Sequence, residues 1–299
     1  MGYNQREGKP LRERIHTMIK FGPAGNSDSF YNQGYKSTHQ APKWLKEMGL
    51  NAYEYSFGRG VNLSMDGAAK IREEAEKYAI SMSAHAPYFI NLANPDPEKR
   101  ENSFRYITDG AKMVDALGGN RLVVHIGAQM KMDRAQALAN CRQGIKEALV
   151  RLDDLGLSHV HICPETMGKK SQIGDLEETM DFCLLDERLI PCIDFAHLHA
   201  LHGGALNAGE DFARVLDTME KMIGVDRARK MHVHFSTIEY TPAGEKQHRT
   251  FAEEKYGPRF HHLAPLLKAR GYTPTIICEC KGTMADDAAA MHQIYESLQ

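Results

Sequence analysis

The chain has 299 residues, enough for one large domain or two ordinary ones, and its 42% apolar and 25% charged composition excludes a mainly disordered or fibrous chain. Thirty-seven basic against 39 acidic side chains leave a formal net charge of -2, so a nucleic-acid partner would have to be met by a local basic patch. No run approaches 18 apolar residues, the N-terminus lacks the apolar core of a signal peptide, and the 6 cysteines show no paired CxxC spacing, which predicts a cytoplasmic, membrane-free protein with reduced thiols.

Residues 1–17 are polar and aperiodic and read as a mobile N-terminal extension, leaving 18–299 as one catalytic domain. From there short β-rich runs alternate with longer amphipathic segments. The runs fall at 18–22, 51–56, 80–85, 121–126, 159–165, 189–195, 230–236 and 275–279. Between them lie helix-forming stretches such as MDGAAKIREEAEKYA and RAQALANCRQGIKEALVRLDDL, with apolar residues three and four apart. Strand then helix, eight times over, predicts an α/β fold of (β/α)8 TIM-barrel type. An open doubly wound sheet is the competing arrangement.

In a barrel of this kind the C-terminal strand ends converge on one mouth, and here they carry metal-ligand side chains. The third run ends in His85, the fourth in His125, the fifth in Glu165, the sixth in Asp194, the seventh in His232 and His234, and the eighth in Glu279. Massing carboxylates at one rim is costly unless cations compensate, so a multinuclear site is expected. Mixed His and Asp/Glu donors without thiolate suit zinc, manganese or a related divalent ion. Two loops add histidines beside the rim: His197, His199 and His202 after the sixth run, and His248 near Glu245, Lys246 and Arg249 after the seventh. His159 and His161 share parity with Glu165 but lie deeper, and read as barrel-interior polar residues. In CEC the cysteines lie opposite Glu279 and read as packing.

Taken in order, HAPYFINLANP, VVHIGA, PETMGKKSQIG, IDFAHLHA, MHVHFS, His248 and CEC resemble the endonuclease IV family of the xylose-isomerase-like barrels. The resemblance implies two or three zinc ions, with manganese as a substitute, and cleavage of DNA 5′ to abasic sites in base excision repair. In-line attack by a metal-bridging hydroxide would perform it. By position it implies one metal on His85, His125 and Glu165, and a second on Glu165, Asp194, His232 and Glu279. A third would use His197 and His248. Glu165 and Glu279 then carry the catalytic roles, Tyr88 stands near the damaged nucleotide, and Arg59, Lys246 and Arg249, with Lys169 and Lys170, are phosphate contacts. A monomer is expected.

The pattern departs from the family at Lys246, where an Asp is usual, because an ammonium offers no lone pair. Glu245 or Glu239 could replace that carboxylate, or Lys246 could itself stand in for the third cation. The loop SFGRGVN after the second run is also shorter than the family's DNA-penetrating loop. The alternative reading is a divalent-metal-dependent sugar isomerase or epimerase acting on a small sugar or sugar phosphate.

Overall fold

The computed structural model describes residues 18–299, so the N-terminal extension lies outside the described residues. The eight barrel strands are β1 (Lys20–Pro23), β2 (Ala52–Ser56), β3 (Ser81–His85), β4 (Arg121–Val124), β5 (His161–Pro164), β6 (Cys192–Asp194), β7 (His232–Phe235) and β8 (Thr275–Cys278). They pair in parallel as two arcs, β2-β3-β4-β5 and β1-β8-β7-β6. Single bridges from Ala24 to Glu54 and from Glu165 to Cys192 join the arcs at both ends. The first strand therefore neighbours both the second and the eighth, which makes the sheet a closed barrel rather than an open doubly wound one. At Gly22 a Cβ would collide with the backbone of Ala52, so only glycine lets β1 close against β2.

Helices follow the strands and cover the outside. Met65–Tyr78, Pro97–Ala116, Arg134–Asp154 and Leu176–Cys183 start on Ser64, Asp96, Asp133 and Asp175, whose side chains accept from backbone N–H groups of the first turn. Each buries one apolar stripe, such as Phe104, Ile107, Ala111 and Val114 in the second of them. Cys278 and Cys280 lie in this outer core, as their parity opposite Glu279 predicts.

Two expectations change. Strand β5 begins at His161, not 159, and His159 sits in a turn with its Nε2 2.7 Å from Asp115 on the exterior; it is not inside the barrel. The segment after β7, read as a loop, is an antiparallel hairpin of Thr237–Thr241 and Gly244–Arg249 over the mouth. A smaller ladder, Gly127–Ala128 with Gln172–Ile173, flanks the opening.

Candidate metal centre

Strand alternation places His85, Glu165, Asp194, His234 and Glu279 inside the C-terminal end of the barrel, with His125 just past β4. Glu165 is the hub. Its buried carboxylate lies 3.1 Å from His85 Nε2 and 2.9 Å from His125 Nε2 through Oε2, and 2.9 Å from His234 Nδ1 through Oε1. The other ring nitrogen of His85 donates to the Ala86 carbonyl at 2.7 Å, which leaves its Nε2 free to face Glu165.

Asp194 ends β6 and begins the helix Phe195–Leu201. Its Oδ1 accepts from the His197 N–H at 2.8 Å, while its Oδ2 is buried with no hydrogen-bond partner among the described residues. That helix aims His197 at the mouth, its Nδ1 2.9 Å from the Thr166 carbonyl and its Nε2 2.8 Å from Glu245 Oε2. His248, on the hairpin, has its Nδ1 2.7 Å from Ser236 Oγ and its Nε2 3.9 Å from Glu279 Oε2.

Among five sets of donor atoms in the described residues lying within 4.8 Å of one another, three carry no cysteine: His85, Glu165 and His234; Glu165, Asp194, His234 and Glu279; and Asp194, His197 and His248. They share members, so they form one continuous cluster. The orphaned Asp194 Oδ2 at its centre and the all-oxygen-and-imidazole donor set fit divalent cations of the zinc or manganese type. Burial, reinforced by the negative Glu279 and Glu165, pushes the Asp194 carboxyl up to about 8 despite nearby His197. Burial works against a charge on His85, yet the hydrogen bond and charge of Glu165 raise its pKa to about 9. Burial also opposes ionisation of Glu165, but His234 and His125 hold it well below the usual carboxylate range.

Sequence parity did not separate His232 from His234, which face the same way two residues apart. The structure brings His234, not the expected His232, to the Glu165–Asp194–Glu279 set, while His232 groups with His234 and Cys192. His232 lies one layer deeper, fully buried, its Nε2 2.9 Å from Glu54 Oε2. Burial lowers it to about 4, so it is neutral, and its Nδ1 has no partner among the described residues.

The family described as xylose isomerase-like TIM barrel matches the chain over residues 42–297. The chain belongs to that family. It is 34% identical over 281 residues to an uncharacterized protein of Methanocaldococcus jannaschii, covering 94% of this chain and 98% of that one. It is 31% identical over 215 residues to a probable endonuclease 4 of Staphylococcus aureus, covering 65% of this chain and 69% of that protein. Among solved structures, a D-tagatose 3-epimerase-like protein superposes with a TM-score of 0.71 at 18% identity, covering 93% of this chain and 97% of the other.

In this xylose isomerase-like barrel the departure at Lys246 has a structural explanation. The hairpin register passes from Glu239 opposite Gln247 to Tyr240 opposite Glu245, so Lys246 is the extra residue of a β-bulge. Regular alternation would put Lys246 on the face of His248; the bulge puts Glu245 there instead. Lys246, 56% exposed, pairs outward with Glu239 at 2.6 Å, and Arg249 pairs with the same glutamate. The structure brings neither to the donor cluster. Gly244 and Gly168 carry no Cβ, which lets the hairpin pack onto the β5 loop, where Lys169 reaches Glu245 at 3.1 Å.

Tyr88 and Phe89 stand exposed above the rim with ring centroids 4.4 Å apart, and Arg59 Nε donates to the Tyr88 hydroxyl at 3.0 Å. Beside the mouth, Arg134, Lys169, Lys170, Gln172 and His202 line a cavity of about 300 Å³. His199 turns away and accepts from the Leu206 N–H at 3.1 Å.

Glu54 was missed by sequence reasoning. Fully buried on β2, it accepts from Ser83 Oγ and lies 2.9 Å from both His232 Nε2 and His234 Nε2. It accepts a hydrogen bond from His234 Nε2–H, which leaves Nδ1 facing the cluster. The available signal was a glutamate in the middle of the apolar run NAYEYS, where a charge must be facing a partner.

Proposed function

We propose that the protein is a divalent-metal-dependent phosphodiesterase that cleaves DNA at abasic sites. The observation that carries the reading is the continuous His/Asp/Glu cluster, beside which the Glu245 carboxylate lies 2.8 Å from His197 Nε2. The 31% identity to a probable endonuclease 4 supports it. Cations held by His85, His125, Glu165, Asp194, His197, His234, His248 and Glu279 would neutralise a phosphate and make hydroxide available near neutral pH. The protein's own groups supply the rest. Glu279, whose side chain is 18% exposed, faces the opening and orients the attacking water. Glu165, tied to three imidazoles, holds the donor sets in register. Tyr88 and Phe89 offer an aromatic platform to an unstacked sugar or base, and Arg134, Lys169 and Lys170 offer cations to a neighbouring phosphate.

Incubation with a duplex containing one abasic site tests the reading. Nicking on the 5′ side that chelator abolishes and zinc or manganese restores is the expected result; a metal-replete protein that leaves the duplex intact overturns it. The second reading, ketose epimerisation, draws on the short SFGRGVN loop and on Glu165 and Glu279 at one mouth. Metal-dependent interconversion of ketoses at C3, with no nicking, would select it.

A further inference from the structure

The opposite, N-terminal end of the barrel carries a second polar chamber that the proposed reaction does not use. Lys20, Ser81, Arg121 and His161 point inward from β1, β3, β4 and β5, and with Arg227 and Lys230 they line a cavity of about 970 Å³. Arg121 stands in register with His161. The volume is that of a small-molecule site.

The interior cations have little to balance them. Lys20 Nζ donates to Ser81 Oγ at 2.8 Å, and Arg121 donates to the carbonyls of Lys230 at 2.9 Å and Met231 at 3.3 Å. Among the described residues neither has a carboxylate oxygen within 4.0 Å. The acids of the chamber, Glu76, Glu187 and Asp226, are exposed at its rim, and Glu76 is paired with Arg72. The Nδ1 of His161 lies 2.8 Å from the Arg188 carbonyl, which leaves Nε2 uncommitted. Arg121 retains three of its donors and Lys20 two, held by contacts that fix their direction. Two neighbouring, partly desolvated cations without a counterion are the reverse of the arrangement at the mouth, and an anion relieves them. Burial and Arg121 together lower the Lys20 ammonium to about 8, as expected for a cation with no negative partner.

We propose that this floor chamber binds a phosphate-bearing small molecule, its phosphate held by Lys20 and Arg121 with His161 beside them. Guanidinium and ammonium on one phosphate combine a planar donor fork with a point charge, and the remaining volume takes the organic part.

Calorimetric titration of the full-length, chelator-treated chain with inorganic phosphate and with ribose 5-phosphate tests the proposal. One equivalent should bind each probe, and Lys20→Met should weaken both at least about tenfold while metal content after reconstitution stays that of the wild type. Arg121→Met should do the same. Because Arg121 also anchors two carbonyls and its loss could disturb folding, Lys20→Met is the deciding variant. Affinity unchanged in Lys20→Met, or no saturable binding of either probe by the wild type at millimolar concentration, overturns the proposal.

Discussion

The mouth and the floor of this barrel are built from the same strands and carry opposite charge. Along β4 the inward side chains run from Arg121 through Val123 to His125, and along β5 from His161 through Cys163 to Glu165. The middle positions, Val123 and Cys163 with Cys192, form a small buried apolar cluster of their own. On this side of the barrel the apolar cluster lies between a carboxylate-rich mouth and a cationic floor; elsewhere the same interior holds the buried Glu54, Ser83 and His232, hydrogen-bonded through Glu54. Arg121 and His125, like His161 and Glu165, lie four positions apart along their strands, about 13 Å, which is beyond direct pairing of the two layers. The two ends therefore keep separate charge, which suits cations at the mouth and, on the proposal made for the floor, an anion below.

The largest effect that tests this division is expected at its hub. Glu165→Gln removes a charge shared by three imidazoles, and should cost at least ~10³-fold in chelator-sensitive nicking, with metal content falling in parallel by elemental analysis. If metal content stays at the wild-type value, Glu165 does not hold the cluster. Phosphate binding at the floor should be unaltered, since Glu165 stands at the opposite end of the barrel.

A smaller loss is expected one layer down. Glu54 contacts no mouth opening, yet it orients His234 through Nε2. Glu54→Gln should weaken metal binding about 10- to 100-fold, read by competition with a chromophoric chelator, while circular dichroism stays native. An unchanged affinity would show that His234 keeps its orientation without the carboxylate.

The hairpin provides a sharper contrast between adjacent residues. Glu245→Ala should remove about one equivalent of metal, because it deletes the carboxylate 2.8 Å from His197. Lys246→Asp, which restores the residue usual in endonuclease IV sequences, should leave stoichiometry unchanged because the bulge points this position at Glu239 and solvent. A gain of metal in Lys246→Asp would mean that the bulge shifts register in solution.

These contrasts also show what the sequence could and could not convey. The barrel was legible because strand and helix periodicities alternate eight times, and the polar strand ends were legible because charged residues rarely close apolar runs without cause. Depth was not. His232 and His234 share parity, and only the stagger of β7 against β8 and β6 decides which of them reaches the mouth. Glu245 was legible from the sequence as one of two replacement carboxylates, but the choice between it and Glu239 was hidden, because a bulge is a property of two paired strands and not of either alone. Glu54 left a trace in its own run, but its two histidine partners stand 178 and 180 residues away. The floor was hidden for a similar reason: Lys20, Arg121 and His161 each open a different strand, where a polar residue is unremarkable until the ring closes.

The smallest expected effect belongs to the floor and concerns pH. Lys20 is lowered to about 8 from an ordinary 10.5, by burial first and Arg121 second. Between those values the folded protein holds fewer protons at this site than the unfolded chain, so its contribution to stability rises with pH across that window. The same contribution is lost as pH falls through about 8, where both cations are charged together. Lys20→Met has no such dependence. The melting temperature of the wild type relative to the variant should therefore climb by about 2 °C from pH 7.5 to pH 10 in buffers free of phosphate. Adding phosphate should raise the wild-type curve most at the acid end of the range, where the ammonium is present to be neutralised. A difference between the two proteins that ignores both pH and phosphate would show that Lys20 is balanced from within, and that the floor, unlike the mouth, needs no counterion.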